Sequence, residues 1–275
     1  MSKVLIIGGG AAGMMAAVAA GENGHEVWLY EKNDRLGRKL FITGKGRCNI
    51  TNAGDMETLF ASVMSNPKFL YSSFYTFTND QVIDFFEELG VRTKIERGNR
   101  VFPLSDHSSD VIAGLKRKLE TLGVHICLET EVEKIEERDG KFQAIVLKGG
   151  QRKTGDACIV ATGGISYPAT GSTGDGYRFA KENGHQITKL YPALVPMEVR
   201  EWYAKELQGL SLRNVSAAVY YGKKKLYEDF GEVLKKINDL TSTLRLCIED
   251  VIEEEVEEEA EEFVSEPVAN EMKNA

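Results

Sequence analysis

Two glycine-rich stretches hold the residues best suited to chemistry: "GGGAAG" at residues 8–13 and "TGKGRCNITN" at residues 43–52. In the first, Gly8, Gly10 and Gly13 are spaced as G-x-G-x-x-G. Each glycine has a separate use at a dinucleotide site. Gly8 permits a tight turn, Gly10 lets a pyrophosphate approach the backbone, and Gly13 lets a helix pack closely on a strand. A helix beginning at Ala11 and Ala12 then offers free N–H groups and a positive dipole end to the phosphates. Glu31 follows 18 positions after Gly13. An acid there accepts the hydroxyls of an adenosine ribose, and favours FAD or NAD over NADP.

The second stretch belongs to a longer basic segment. Arg35, Arg38, Lys39, Lys45 and Arg47 alternate with Gly37, Gly44 and Gly46 over residues 35–47. Cations and backbone N–H groups in such a loop can lie along an extended dinucleotide. Gly46 would admit a flavin closely, with Arg47, Cys48 and Asn49 lining it. Cys48 has no partner thiol nearby. Neighbouring cations can lower a thiol pKa, so a redox role for Cys48 is a second reading.

The elements that must position these residues follow from apolar patterning. Residues 4–7 are a wholly apolar run of the kind found in buried parallel strands. Residues 11–23 form an Ala- and Met-rich helix closed by Gly24. Residues 26–31 form a second strand, completing a β-α-β unit. Further strands are expected over 124–127, 131–136 and 142–147, and a helix over 109–122 capped by Ser108 or Ser109. His107 precedes that helix and is more simply structural than substrate-facing. The run "DACIVATGG" is a buried strand ending in Ala161, Thr162 and Gly163, where a small-residue turn borders a ligand in open α/β sheets. In "TGSTGDG", Asp175 either caps a helix or helps cover a cofactor or substrate cavity. The aromatics of residues 56–89, from Phe60 to Phe86, fit helices whose rings enter the core.

Composition bounds the rest. The chain has 275 residues, 42% hydrophobic, enough for a real core and one to two domains. Its formal charge of −8 is concentrated at the end: residues 232–275 hold 14 acids and four bases. The near-neutral body offers no basic face for nucleic acid. The four cysteines form no CxxC, which fits a reducing cytosol and excludes a dithiol reductase. The N-terminal apolar run imitates a signal peptide, but three consecutive glycines fit a phosphate turn better. No run reaches the length of a membrane span, so a cytoplasmic protein is expected. No metal site and no His/Asp or serine constellation is evident, and the catalytic residues are unknown.

The segments "GGGAAG", "EKNDRLGRKL", "TGKGRCNITN", "VFPLSDHSSDV" and "VATGGISYPATGSTGDGYRFAKENGH" resemble a bacterial family of FAD-dependent oxidoreductases that includes BaiN and aminoacetone oxidase. The resemblance covers about residues 1–231. It implies an α/β, Rossmann-like two-dinucleotide-binding flavoprotein fold, with an FAD domain interrupted by an inserted β-rich domain. It implies that the backbone of Val132 meets adenine and that Lys32, Arg38 and Lys39 belong to the cofactor site with the glycine turn. It also implies FAD as cofactor, a small-molecule substrate, and NAD(P)H as a possible electron donor. No second G-x-G-x-x-G exists to mark a separate NAD(P)H domain.

The expected organisation is an FAD-binding domain over 1–190, the start of the inserted domain over 191–231, and an amphipathic helix with an acidic, disordered tail over 232–275. Val233, Ile237, Leu240, Leu244, Ile248, Val251 and Ile252 set the period of that helix, which is a possible protein contact. The family's closing segment over the flavin ring is not found in the sequence. Hence an alternative stays open: a truncated, non-catalytic nucleotide-binding remnant or interaction protein. An NAD-dependent dehydrogenase is a weaker third reading, since it leaves the basic loop and the Ala161–Gly163 turn unexplained.

Overall fold

The computed structural model describes residues 1–63, 65–191, 211–221, 223–234 and 245–250. The chain divides into two compact units, Met1–Thr188 and Lys189–Ala275.

The first unit begins with β1 (Lys3–Ile7), α1 (Ala11–Glu22) and β2 (Glu26–Tyr30). It continues through α2 (Arg38–Ile42), β3 (Thr51–Asn52), α3 (Met56–Ala61), α4 (Tyr71–Thr76) and α5 (Asn79–Glu88). Then come β4 (Thr93–Glu96), β5 (Arg100–Pro103), α6 (Ser108–Thr121) and β6 (His125–Cys127). The unit ends with β7 (Val132–Arg138), β8 (Lys141–Leu147), β9 (Arg152–Thr154), β10 (Ala157–Val160) and α7 (Asp175–Glu182).

A parallel sheet with the order β10-β1-β2-β6 organises this unit. The strand β1 lies inside, and the chain leaves it first to one side (β2) and later to the other (β10). That reversal makes a crevice at the carboxyl end of β1, the usual place for a ligand in an open α/β sheet. The five residues of β1 are wholly apolar after Lys3 because both sheet faces are covered. Val4 and Ile6 join one core with Met14, Val18 and Leu115 from α1 and α6. Leu5 and Ile7 point the other way, to Val132, Ile145 and Leu147 of the antiparallel meander β7-β8-β9, and to Phe179 of α7. The strand period of two thus serves two cores at once.

Several local expectations change. The basic loop after β2 contains the short helix α2, begun by Gly37 in the left-handed region at φ +70°. Neither Ser108 nor Ser109 caps α6: His107 is the N-cap, and the Ser108 hydroxyl donates to the carbonyl of Phe41 at 2.8 Å. His107 is exposed. Asp175 is the first residue of α7 rather than its cap, because Gly174 takes the cap position at φ +85°. The aromatics of residues 56–77 do not enter the core. The elements α3 and α4 bury no residue, Phe69 is 79% exposed, and the rings instead stack on one another, Phe60 lying 5.1 Å from Tyr71. The expectation holds for α5, where Phe86 is buried and Phe85 packs against the same core.

In the second unit, β11 (Ser211–Tyr221) and β12 (Lys224–Leu234) form an antiparallel hairpin, and β13 (Arg245–Asp250) pairs with the other edge of β11. The amphipathic helix expected after Gly231 is therefore corrected. Residues 233 and 234 end a strand and residues 245–250 form another. Backbone pairing with the open edge of β11 overrides a short helical period, which apolar runs of this length do not specify alone. The acidic residues beyond 250, and residues 192–210 at the start of the expected inserted domain, lie outside the described residues.

Candidate functional site

A cavity of about 540 Å³ opens at the carboxyl ends of β1, β2 and β10, within the usual range for ligand pockets. Its floor is the glycine turn: Gly8, Gly9, Gly10, Ala11 and Ala12 line it. The turn is held from three sides. Gly8 N donates to Tyr30 O at 2.8 Å, Ala161 N donates to Ile7 O at 2.8 Å, and Gly37 N donates to Gly9 O at 2.8 Å. Side-chain space at the three fingerprint glycines differs. A Cβ at Gly8 would sit 2.5 Å from Ala161 O, with φ already at +106°. A Cβ at Gly13 would overlap Gly8 O, whereas one at Gly10 would meet nothing within 4 Å. Gly13 therefore serves packing of α1 against the turn, and it does not line the cavity. Gly10 faces open space beside the N-terminus of α1, where N–H groups and dipole favour an anion.

Glu31 stands just past β2 and is 7% exposed. Its Oε2 accepts from Gly9 N at 2.7 Å, and its Oε1 accepts from Asn33 N at 2.8 Å and Asn33 Nδ2 at 2.6 Å. Lys32, Arg38 and Lys39 also line the cavity, but their charges are engaged with the protein. Lys32 Nζ pairs with Asp175 Oδ2 at 2.7 Å and donates to Thr173 Oγ1 at 2.7 Å. Arg38 Nη1 donates to Asn33 Oδ1 at 2.8 Å. Lys39 Nζ donates to Ser166 Oγ at 2.8 Å and Ser166 O at 3.0 Å. Burial raises the Asp175 carboxyl, but Lys32, Thr173 and Arg178 more than reverse this and leave it below its ordinary value. Burial also pushes the Tyr30 hydroxyl on the cavity wall up to about 12, so it stays neutral.

The opposite wall is Ala161, Thr162 and Gly163 after β10, with Val132 at the start of β7. The Thr162 hydroxyl is buried and has no hydrogen-bond partner. An unpaired buried hydroxyl is costly; this one faces Gly176 of α7, where an added Cβ would come within 2.7 Å of it. The open space at Gly10, the helix N-terminus and the buried acid together fit an adenine dinucleotide.

The second glycine stretch lies elsewhere. The cavity wall reaches Thr43, and none of Gly46, Arg47, Cys48 and Asn49 lines it. Cys48 is 1% exposed and packs in the core with α1 and α6. Burial pushes its thiol above the ordinary value, against a smaller opposing hydrogen bond from Thr43. The cations nearby do not activate it. Arg47 is bound to Glu96, and to Asp106 at 2.7 Å, with its guanidinium 4.1 Å above the Phe102 ring. Lys94 joins the same carboxylates, Asp106 at 2.6 Å and Glu96 at 3.3 Å.

Some cavity residues carry no signal of their own: Asn33, Thr130 and Glu131 are such positions, and Thr43 is the one residue of the second glycine stretch on the wall. Thr170, Gly171, Ser172 and Asp175 line the mouth; the glycine-rich run around them had pointed to a cap over the site. Among the described residues there is no group of three or more His, Cys, Asp or Glu able to hold a metal, and no helix is long and apolar enough to cross a membrane.

Comparison with known proteins agrees with this architecture. Residues 2–242 match the family described as HI0933-like protein, Rossmann domain. The 3-dehydro-bile acid delta(4,6)-reductase of Clostridium scindens is 33% identical over 237 residues, 85% of this chain and 56% of that protein. The ribosomal RNA dihydrouridine synthase of Haemophilus influenzae is 31% identical over 216 residues, 77% of this chain and 53% of that protein. The chain thus spans about half the length of the curated relatives it matches. Among solved structures, the Sdh1 complex of Mycobacterium smegmatis in its apo form superposes with a TM-score of 0.52 at 22% identity, over 66% of this chain and 39% of that chain, a likeness of fold. The chain belongs to the HI0933-like family of Rossmann-fold, FAD-dependent oxidoreductases.

Proposed function

We propose that this chain binds FAD in the cavity at the end of β1 and serves the reduction of a carbon–carbon double bond conjugated to a carbonyl group, with NAD(P)H as electron donor. The observation that carries the cofactor reading is one convergence: the open face of Gly10, the N-terminus of α1 and the buried Glu31 carboxylate border a single cavity. Hydride transfer is the chemistry FAD supplies when bound. The protein's part is to hold and orient. The α1 N-terminus and Gly10 receive the pyrophosphate, Glu31 receives the adenosine ribose, and the start of β7 at Val132 borders the adenine. Lys32, Arg38 and Lys39 set the charge of the mouth. Arg47, Cys48 and Asn49 act from behind the wall, fixing the loop that ends at Thr43.

The reaction class draws on the two relatives. One is named as a delta(4,6)-reductase and the other as a dihydrouridine synthase, and both names describe hydrogen added across a carbon–carbon double bond. A small-molecule acceptor is favoured over RNA, because the body of the chain lacks the basic excess that phosphate contacts use. The intact cavity and the family match favour a working cofactor site over a remnant scaffold.

Purified full-length chain is expected to be yellow, with a flavin spectrum and FAD released on denaturation at one per chain. A well-folded, colourless chain that FAD does not reconstitute defeats the proposal. Anaerobic bleaching by NADH or NADPH, followed by reoxidation with an enone, tests the donor and the reaction class.

A further inference from the structure

Asn33 makes more connections across the site than any motif assigns to it. Its backbone N–H and its Nδ2 both donate to Glu31 Oε1, at 2.8 and 2.6 Å. The same Nδ2 donates to Thr170 O at 3.2 Å, on the segment that lines the cavity mouth. Its Oδ1 accepts from Arg38 at 2.8 Å, and its carbonyl accepts from Glu129 N at 2.9 Å. At Gly171 a Cβ would come within 2.6 Å of this Nδ2, so the mouth segment fits around the amide with no room to spare.

The arithmetic at Glu31 gives these bonds a meaning. An ionised carboxylate has about four acceptor positions. Asn33 fills both on Oε1, and Gly9 fills one on Oε2. The position left over is on Oε2, at a carboxylate held by one backbone N–H on each oxygen and braced further by the Asn33 amide. We propose that Asn33 is a positioning residue: it aims the free position of Glu31 at the adenosine 2′-hydroxyl, and through Thr170 it ties that aim to closure of the cavity mouth. This rests on the nucleotide-binding reading above. Loss of the Asn33 amide leaves Glu31 on its two backbone N–H bonds alone, so that its free position can tilt, and unlatches the mouth in one stroke.

The test measures binding of FAD, ADP and 2′-deoxy-ADP to full-length protein, with FAD dissociation followed by fluorescence. Wild type is expected to prefer ADP over 2′-deoxy-ADP by about tenfold, the size of one hydrogen bond to a charged group. Asn33→Ala is expected to lower that ratio clearly and to speed FAD release. A residue that merely supports the fold would weaken both ADP ligands equally and leave the ratio intact, so an unchanged ratio in a folded variant overturns the inference. Should Asn33→Ala not fold, Asn33→Asp keeps the volume and replaces the Nδ2 donor, and the same fall in the ratio is expected. Wild type that binds FAD but ignores the 2′-hydroxyl overturns this inference alone. Wild type that binds none of the three overturns the cofactor reading and this inference with it.

Discussion

The two glycine-rich turns are alike in composition and opposite in use. Around Gly8 to Gly13, the tight approaches of Gly8 and Gly13 are to backbone, and Gly10 is left facing open space. Around Thr43 to Asn49, four residues take left-handed backbone: Gly44, Lys45, Gly46 and Cys48, with φ from +55° to +88°. That stretch coils on itself, buries Cys48 and hands Arg47 to carboxylates on and beyond the small sheet. Glycine and cation together do not mark a phosphate site. What separates the two is where the open space lies: Gly10 leaves it on the cavity wall beside the N-terminus of α1, whereas Gly46 leaves it off that wall.

The largest effect that sharpens this contrast is expected at Gly13. Gly13→Ala forces α1 away from Gly8, and a loss of about 3 kcal/mol or more is expected in urea unfolding. An unchanged midpoint would break the argument that packing fixes this position. Gly10→Ala is the counterpart. Stability is expected to stay within about 0.5 kcal/mol, while FAD affinity falls by about tenfold or more, since the added methyl group occupies the approach of the pyrophosphate. Equal losses at both glycines would erase the distinction between them.

At the second turn the expected effects are smaller. Arg47→Ala removes the cation stacked on Phe102, at a cost of about 1 kcal/mol. Arg47 and Lys94 hold Glu96 below its ordinary value of 4.5, and Lys94 and Arg47 hold Asp106 below 3.8. Depressed carboxyl values stabilise the fold above those ordinary values, and that part is lost as pH falls through the lower folded-state values. The gap between wild type and Arg47→Ala is therefore expected to narrow below about pH 4 in acid unfolding. The smallest effect is a null one. Native Cys48 is expected to resist alkylation at pH 8 and to label only on unfolding; prompt labelling would return it to the reactive class.

What the sequence made legible were features with local signals. The apolar run of β1, the Ala-rich α1, Glu31 and the Ala161–Gly163 turn each announce themselves within a few residues. The rest depends on partners far along the chain. Arg47 reads as a free cation because Glu96 and Asp106 lie 49 and 59 positions away. Asn33 reads as a spacer because its meaning is set by Thr170, 137 positions on. The aromatics of α3 and α4 have helical spacing with no core beneath them, and sequence period reports amphipathicity, not what covers it. Residues 245–250 follow an edge strand, which no helical count reveals.

The position of β1 has a consequence for biosynthesis. One edge of this strand meets a neighbour 23 residues away, Val4 beside Val27, and the other edge waits for Ala157, with Lys3 N bonded to the Asp156 carboxylate at 2.6 Å. During translation the first β-α-β unit emerges long before that second neighbour. Until β10 arrives, β1 keeps an open, apolar edge, and the glycine turn lacks the Ala161 carbonyl that backs it. The cavity at the end of β1 is then only half made, since its Ala161–Gly163 wall has not been synthesised. Pairing across so long a separation is slow and exposes the nascent strand to wrong partners. The interval between synthesis of β2 and of β10 is therefore when this strand is most exposed to mispairing.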